Sequence, residues 1–315
     1  MKILIMGAGG VGAYYGARLQ QAGEEVVFCA RGENLRALRE SGLEVISPKG
    51  DFKLVVTATG RPADLAPYDL ILFCVKSYDT ETVGRSLAGQ LAPGGTILTV
   101  QNGVENEAIL ADIFGPQAVM GGNARVGAEL VAPGQLLHLT GGLIEFGESD
   151  GRVGDRTRAL AELFKRAGIY GRLSDSMRTE RWKKLMWNAS FNTVSALTRR
   201  RVGEILEDAE GLAMVRNLMG EIVAVARAEG ADVTLDFAES EIARSLAELS
   251  QVRPSTLQDL ERGKRLEYDA LSGAVMRAAR RHGIEVPVIE TVNALLKLVD
   301  DRTNANTNGS APASN

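Results

Sequence analysis

The sequence predicts a two-domain protein, in which an α/β domain built on a doubly wound parallel sheet precedes an all-helical domain. Three observations lead to this prediction. A glycine-rich turn joins a short apolar segment to a helical one, further apolar segments alternate with helices in the first half, and helix follows helix after residue 176. Near-continuous apolar strands indicate a sheet that is buried on both faces, as in parallel α/β proteins.

The first predicted strand, turn and helix begin the chain. Residues 2–6 are apolar and β-rich, residues 11–22 have a helical pattern, and glycines lie between them. Gly7 permits a tight turn, Gly9 lets the backbone approach a pyrophosphate, and Gly12 lets the helix pack closely on its strand. Free N–H groups and the dipole at the helix N-terminus favour a diphosphate. This arrangement predicts a Rossmann-type dinucleotide-binding domain.

Arg31 directly follows the second predicted strand, residues 25–30. NAD enzymes usually place an acidic residue here for the ribose 2′-hydroxyl, whereas arginine suits a 2′-phosphate. Arg31 therefore favours NADP over NAD. The alternative is an ordinary solvated loop arginine next to Gly32.

Further elements follow in order along the first half. Apolar strands are predicted at residues 69–75 and 96–100, with helices beginning at Thr80 and Val104. Beyond Gly121, glycine-rich alternating segments predict antiparallel strands or hairpins at residues 124–130, 135–139 and 143–147. A helix over residues 155–167 and a strand over residues 169–173 complete this domain, whose predicted range is 1–174.

The second predicted domain, residues 175–302, is entirely helical. Its predicted helices cover residues 177–197, 203–229, 236–250, 266–282 and 288–301, with glycines and prolines between them. Residues 303–315 contain no charge and no large apolar side chain, which predicts a disordered tail.

Composition excludes several classes of function. The 315 residues are 45% hydrophobic and 24% charged, which is typical of a globular protein with two cores. The net charge of −4 argues against a nucleic-acid partner. Because no apolar segment is long enough to span a bilayer, we expect no membrane partner and a cytoplasmic location. Cys29 and Cys74 are expected to be free thiols, and His138 and His282 lack ligand spacing, so no metal is expected.

A column of polar residues lies on the first helix of the second domain. Glu180, Lys184, Asn188 and Asn192 follow one another in steps of four, so they share one helical face. The residues around them are apolar, which favours a buried functional column. The alternative is an exposed polar stripe with a Glu180–Lys184 ion pair. Lys183 is expected to point elsewhere.

Five motifs of the chain are specific in combination. They are GAGGVG, CVKSYDT, VQNGVEN, WKKLMWNASFN and PSTLQDLERGKRLEYDALSG. With these motifs the chain, from Met1 to about Asp301, resembles the ketopantoate reductase (2-dehydropantoate 2-reductase) family and its 2-oxoacid reductase paralogues. The resemblance implies reduction of 2-dehydropantoate to (R)-pantoate in pantothenate biosynthesis, with NADPH/NADP⁺ as cofactor. It also implies a helical domain like that of 6-phosphogluconate dehydrogenase, and catalysis in a cleft between the domains.

The resemblance also assigns roles to individual residues. Lys184 matches the catalytic lysine and Glu267 its partner carboxylate. The positions that match substrate-binding residues are Asn102, Asn188, Asn192 and Ser255. Those that match cofactor-binding residues are Gly7, Ala8, Gly9, Gly10, Val11, Gly12, Arg31, Lys76 and Asn102.

The chemistry of a 2-oxo acid reductase fits a buried lysine. The reaction needs a hydride at C2 and a proton on the developing alkoxide. A partly desolvated ammonium has a lowered pKa and stabilises the oxyanion, so Lys184 is the expected general acid, with Glu267 orienting it.

Val252 departs from the family pattern, because an asparagine is common three positions before the serine that is Ser255 here. Residues 264–266 also look more like the paralogues, so the alternative substrate is another bulky 2-oxo acid. An alternative of a different class is an NADP-binding sensor without turnover. Pairing of the helical domains into a homodimer is compatible with the sequence.

Overall fold

The computed structural model describes residues 1–308 and divides into two compact units. The first unit is Met1–Glu180, and the second begins at Arg181. The first unit is α/β and the second is helical, which confirms the predicted fold class. The predicted domain boundary, between residues 174 and 175, stays a prediction.

The described part of the chain contains one ten-stranded sheet, which forms the centre of the first unit. Its strands are β1 (Lys2–Met6), β2 (Glu25–Cys29), β3 (Leu43–Ile46), β4 (Phe52–Leu54), β5 (Thr57–Thr59), β6 (Tyr68–Phe73), β7 (Leu91–Thr99), β8 (Val119–Ala132), β9 (Gln135–Gly147) and β10 (Tyr170–Leu173). Neighbours follow the order β4-β3-β9-β8-β7-β6-β1-β2-β5, and β10 pairs with β9. The sequence does not predict β3, β4 or β5, because such short strands bury few side chains.

The strand order reverses at β1. Parallel strands flank it, with β2 on one side and β6, followed by β7, on the other. In open α/β sheets the carboxyl ends of the strands leave a ligand-binding crevice at such a reversal. The predicted parallel strands are confirmed, although β7 begins earlier than expected, at Leu91.

Five α-helices lie entirely within residues 1–180 and accompany this sheet: α1 (Gly10–Gln21), α2 (Gly32–Ser41), α3 (Thr80–Ser86), α4 (Asn106–Phe114) and α5 (Asp155–Arg166). Successive residues of β1 face opposite sides of the sheet. Ile5 belongs to a core cluster with residues of α1 and α5, whereas Leu4 belongs to a second cluster with residues of α3 and α4. Helices therefore cover both faces, which explains the nearly continuous apolar sequence of β1 and β6.

The predicted antiparallel pairing is present, but the strands are longer than predicted. Residues 124–130, 135–139 and 143–147 are expected as separate segments, but the structure contains two long strands, β8 and β9, that form one hairpin. The register shifts between Arg125 and Val126, opposite Gly141 and Gly142. Both glycines have positive φ, at 78° and 115°, so they form an irregularity that bends the strand without ending it.

From Met177 to Asn308 the structure contains helices and no strands. They are α6 (Met177–Trp187), a π-helical turn (Asn188–Asn192), α7 (Thr193–Thr198), α8 (Val202–Leu206), α9 (Ala209–Ala228), α10 (Leu235–Glu248), α11 (Ser255–Glu261), a second π-helical turn (Asp269–Gly273), α12 (Ala274–His282) and α13 (Pro287–Asn308). We name the two turns the asparagine turn (Asn188–Asn192) and the Asp269 turn (Asp269–Gly273).

The helices of the second unit differ from their prediction in two respects. The helix expected over residues 203–229 is divided, because the Asp208 side chain accepts from Gly211 N and caps α9 at 2.8 Å. Helix α11 is not predicted by the sequence. Helix α13 extends to Asn308, and the disordered tail predicted over residues 303–315 stays a prediction. Each residue added to an existing helix gains one hydrogen bond, so polar residues can prolong it. Residues 309–315 of the predicted tail lie outside the described residues.

Both cysteines are thiols in the first unit. Cys29 is buried at the end of β2 and Cys74 is half-buried after β6. Burial raises the pKa of both thiols, so neither has the thiolate character of a reactive cysteine. Of the helices in residues 1–308, none combines the length and the low charge that crossing a membrane would require.

Candidate active site

The glycine turn between β1 and α1 requires glycine at two positions for steric reasons. Gly7 has φ +103°, and a Cβ there would lie 2.9 Å from Val75 N. A Cβ on Gly12 would lie 2.2 Å from Gly7 O, so the helix could not pack on the turn. The geometry agrees with the roles expected for Gly7 and Gly12.

Gly9 has open space instead. No atom lies within 4 Å of the position that its Cβ would occupy, and its backbone is extended, with φ −83°. Gly9 is the N-cap of α1, whose first N–H groups have no acceptor within the helix. An open cradle at a positive helix end fits the diphosphate of a dinucleotide.

The other residues of the turn, which are also predicted to bind the cofactor, have additional contacts. Ala8 N donates to Cys29 O over 3.0 Å, so this N–H is already used inside the fold. A Cβ on Gly10 would lie 2.2 Å from Ala128 O, so Gly10 is needed for the close approach of β8. Val11 is half-buried in the first turn of α1.

Asn34 supports the glycine turn, and the sequence does not identify it. Its Nδ2 donates to Ala8 O over 3.0 Å, and its Oδ1 accepts from Gly134 N over 2.9 Å. One side chain of α2 thus connects the turn to the tip of the β8–β9 hairpin. No local pattern could reveal this contact, because Gly134 is one hundred residues away in the sequence.

Arg31 lies at the N-cap of α2, after the end of β2, where the NADP prediction requires it. Its side chain is 76% exposed, and its Nη2 lies 3.2 Å from Oδ2 of Asp79. Asp79 belongs to a short 3-10 helix, Ser77–Asp79, which follows β6. A carboxylate therefore lies close to the guanidinium that is expected to bind the 2′-phosphate.

Lys76 and Asn102 lie in loops after the neighbouring parallel strands β6 and β7. The two loops are joined at the backbone of Asn102, whose carbonyl oxygen accepts from Ser77 Oγ at 2.8 Å and Asn106 Nδ2 at 2.7 Å. Carboxyl ends of parallel strands meet at one edge of the sheet, so this edge carries both loops and the glycine turn.

Lys184 and Lys183 differ in environment although they are adjacent on α6. Both side chains are half-buried, and the Nζ of Lys183 lies 5.1 Å from the centre of the Phe237 ring in a cation–π contact. The contact agrees with the expectation that Lys183 points away from the polar column.

The asparagine turn is buried. Asn188 is 7% exposed and Asn192 is 2% exposed, which rules out the alternative of a solvated polar stripe at these two positions. The Oδ1 of Asn192 is buried without a hydrogen-bond partner among the described residues. Its Nδ2 lies 3.5 Å from Ser255 Oγ, which is a weak contact. A buried acceptor without a donor is costly unless a ligand supplies one.

Tertiary packing brings the remaining predicted residues to this turn. Helix α11, which begins with the exposed Ser255, packs against α7 and the asparagine turn. Glu267 is 8% exposed and comes two residues before the Asp269 turn, which also packs against the asparagine turn. Hydrogen bonds in π-helical turns run from i to i+5, and such turns are frequent at functional sites. The second unit therefore gathers amides, a hydroxyl and a carboxylate in one region.

Tyr268 is a further titratable group of the site region. Burial, together with Asp300 and Asp269, raises the pKa of Tyr268, which is adjacent to Glu267.

In residues 1–308 there is no group of three or more histidine, cysteine or acidic side chains that could hold a metal ion.

Comparisons with known proteins identify the family of the chain. Residues 3–151 match the family described as Ketopantoate reductase PanE/ApbA, and residues 176–300 match its C-terminal counterpart. The chain is 35% identical to 2-dehydropantoate 2-reductase of Archaeoglobus fulgidus over 300 residues, covering 95% of this chain and 98% of the relative.

Solved structures show the same fold. A PanE/ApbA family ketopantoate reductase from Ralstonia eutropha JMP134 is 36% identical with a TM-score of 0.90, and the match covers 96% of this chain and all of that one. D-mandelate dehydrogenase in complex with NADH and anilino(oxo)acetate has a TM-score of 0.90, 22% identity and coverage of 96% and 100%, which shows the fold alone. The chain therefore belongs to the ketopantoate reductase family and is an oxidoreductase of that nicotinamide-dependent family.

Proposed function

We propose that this chain reduces 2-dehydropantoate to (R)-pantoate with NADPH, as a step of pantothenate biosynthesis. The observation that carries the proposal is the polar region at the asparagine turn of the second unit, where Asn188 and Asn192 are buried, the exposed Ser255 lies 3.5 Å from Asn192, and the buried Glu267 comes two residues before the Asp269 turn that packs there. The family membership supports it, because the relative from Archaeoglobus fulgidus is named for this reaction.

The first unit would hold the cofactor. The cradle at Gly9 and the first N–H groups of α1 would bind the diphosphate, and Arg31 would bind the 2′-phosphate. Lys76 and Asn102 would line the nicotinamide end of the site. When bound, the reduced nicotinamide supplies the hydride for C2 of the substrate.

Lys184 would supply the proton. Its half-buried ammonium would donate to the oxygen at C2 as negative charge develops there, and its positive charge would stabilise that oxygen before proton transfer is complete. Glu267 would hold the ammonium in position, since a buried carboxylate needs a cationic or hydrogen-bonding partner.

The asparagine turn would hold the substrate. The Oδ1 of Asn192 would accept from the 4-hydroxyl of 2-dehydropantoate, because it is a buried acceptor without a partner among the described residues. The amide of Asn188 and the hydroxyl of Ser255 would donate to the substrate's carboxylate and oxo groups. A substrate without the hydroxyl would leave Asn192 unsatisfied, which favours hydroxylated 2-oxo acids.

Val252 favours a second candidate, reduction of another bulky 2-oxo acid. It is half-buried three residues before Ser255, where an amide side chain would offer a hydrogen bond that valine cannot. We expect a panel of 2-oxo acids with NADPH, followed by absorbance at 340 nm, to give the highest kcat/KM for 2-dehydropantoate. A clear preference for an acid without the 4-hydroxyl would establish the second candidate. Turnover with none of them would support an NADP-binding sensor.

Cofactor selectivity gives a further prediction for Arg31. In Arg31→Ala, NADPH affinity should fall by about tenfold to a hundredfold, because hydrogen bonds to charged groups are worth about 1.5–3 kcal/mol. NADH affinity should stay close to that of the wild type. Asp79→Asn should bind NADPH more tightly, because it removes a carboxylate 3.2 Å from the guanidinium. Both affinities are measured by quenching of intrinsic fluorescence.

A matched control exists in the same unit. Arg61 is also exposed and lies 3.5 Å from Asp64 in a comparable ion pair, so Arg61→Ala should change neither affinity. Equal losses of NADPH and NADH binding in Arg31→Ala would contradict the 2′-phosphate role.

A further inference from the structure

A chain of buried hydrogen bonds connects the loop after β6 to the loop after β7. Its centre is Gln101, which is 6% exposed. The Nε2 of Gln101 donates to Val75 O over 2.9 Å and to Thr80 Oγ1 over 2.8 Å, while its Oε1 accepts from Thr99 Oγ1 over 2.9 Å. Thr80 in turn donates to Asn106 Oδ1 over 2.8 Å, and Asn106 Nδ2 donates to Asn102 O over 2.7 Å.

The direction of every bond in this chain is fixed. The Thr80 hydroxyl has one proton, which it gives to Asn106, so it must accept from Gln101. The Gln101 amide uses both of its protons and its oxygen. Only a primary amide of this length offers two donors and one acceptor here. Glutamate would place an acceptor opposite Val75 O, and leucine would remove the partners of Val75 O and the Thr99 hydroxyl and one of the two bonds of Thr80 Oγ1.

The two ends of the chain are the backbone groups beside two predicted site residues. Val75 O belongs to the peptide that joins Val75 to Lys76, and Asn102 O belongs to the peptide that follows Asn102. A peptide group is planar, so a hydrogen bond that holds its carbonyl oxygen also holds the backbone of the adjoining residue. These bonds therefore set the direction in which the side chains of Lys76 and Asn102 project from their loops. Loops on a scaffold are mobile by default, and precise sites need such supporting contacts.

We propose that Gln101 is a positioning residue, which holds Lys76 and Asn102 in the arrangement that cofactor and substrate require. This proposal rests on the proposed function, in which both residues line the site. Gln101 itself acts only through the two loops, with Thr80 and Asn106 as intermediates.

Hydrogen exchange of the protein without ligands tests the positioning directly. In Gln101→Leu we expect faster exchange of amides in residues 76–80 and 102–106, while amides of α5 keep their wild-type rates. Thr80→Val keeps the side-chain shape but removes the hydroxyl that links Gln101 to Asn106. Amide exchange should therefore become faster in residues 102–106 than at residue 76. This second variant keeps the proposal testable if Gln101→Leu folds poorly.

Kinetics with 2-dehydropantoate and NADPH provide the second readout. We expect Gln101→Leu to lose about 10- to 100-fold in kcat/KM, because a displacement of about 1 Å can cost about 10²-fold. The KM for NADPH should rise while kcat falls, whereas a merely less folded enzyme would lose kcat alone. Gln90→Leu removes another buried glutamine, bonded to Ser86 O at 2.7 Å, and should lower the melting temperature but not kcat/KM.

A double-mutant cycle separates the two proposals. If Gln101 acts through Asn102, Gln101→Leu should cost much less in an Asn102→Ala background than in the wild type. Fully multiplicative losses, or unchanged exchange in both loops, would overturn the positioning role and leave the proposed function intact. Full activity of both Asn102→Ala and Lys76→Ala would overturn the proposed site and the positioning role with it.

Discussion

Replacing Lys184 with alanine is expected to lower kcat for 2-dehydropantoate by about 10²–10⁴-fold, which is the usual contribution of a positioned general acid. The variant loses both the proton for the C2 oxygen and the charge that stabilises it. NADPH should still bind with nearly wild-type affinity, because the residues predicted to hold it belong to the first unit. Steady-state kinetics and fluorescence titration measure the two effects separately.

Lys183→Ala is the matched control for this prediction. It removes an ammonium from the same helix, but one that contacts the Phe237 ring at 5.1 Å. We expect a small loss of stability and a kcat close to that of the wild type. If Lys184→Ala retained normal turnover, or if both variants lost turnover equally, Lys184 could not be the general acid.

Replacing Gly9 with alanine should abolish most NADPH binding without damaging the fold. Its φ of −83° suits alanine and no atom lies within 4 Å of the added Cβ, so the fold should be kept, although alanine is a poorer N-cap than glycine and should lower the stability by about 1 kcal/mol at most. The same methyl group would fill the space needed for the diphosphate. We expect the Kd for NADPH to rise at least about tenfold, or about 1.4 kcal/mol. Thermal unfolding and fluorescence titration give both quantities.

Two other glycine-to-alanine variants serve as controls for this prediction. Gly220→Ala also adds a Cβ in open space, within α9, and should stabilise the protein with no change in NADPH affinity. Gly12→Ala would bring a Cβ to 2.2 Å from Gly7 O and should destabilise the fold itself. Wild-type NADPH affinity in Gly9→Ala would show that the diphosphate binds elsewhere.

The sequence was sufficient to predict the parts of the site that depend on local geometry. The turn with Gly7, Gly9 and Gly12 needs only a strand, a helix and their connection, all of which lie within a few residues of one another. The divergence of Lys183 from the polar column follows from helical periodicity in the same way. Burial of Asn188 and Asn192 was indicated by the apolar residues around them.

Other features depend on contacts that no local pattern reveals. Both π-helical turns lie within segments whose sequence has an ordinary helical pattern, so the sequence does not distinguish them. We attribute the wider turn to tertiary packing rather than to residue preference. The sequence divides the β8–β9 hairpin into separate segments, since glycines usually end strands. Gly141 and Gly142 instead form a bulge that the opposite strand stabilises.

The sequence by itself determined the order of the longer elements, the fold class and the identity of the chemical groups, because each follows from periodicity, turn geometry or a motif of consecutive residues. Only the tertiary structure decided what supports those groups. Asn34 reaches Gly134, Arg31 reaches Asp79 and Gln101 reaches Thr80 across loops that are far apart in the chain. Such contacts arise from the pairing of distant strands and the packing of helices, so their energy depends on partners that local sequence does not specify.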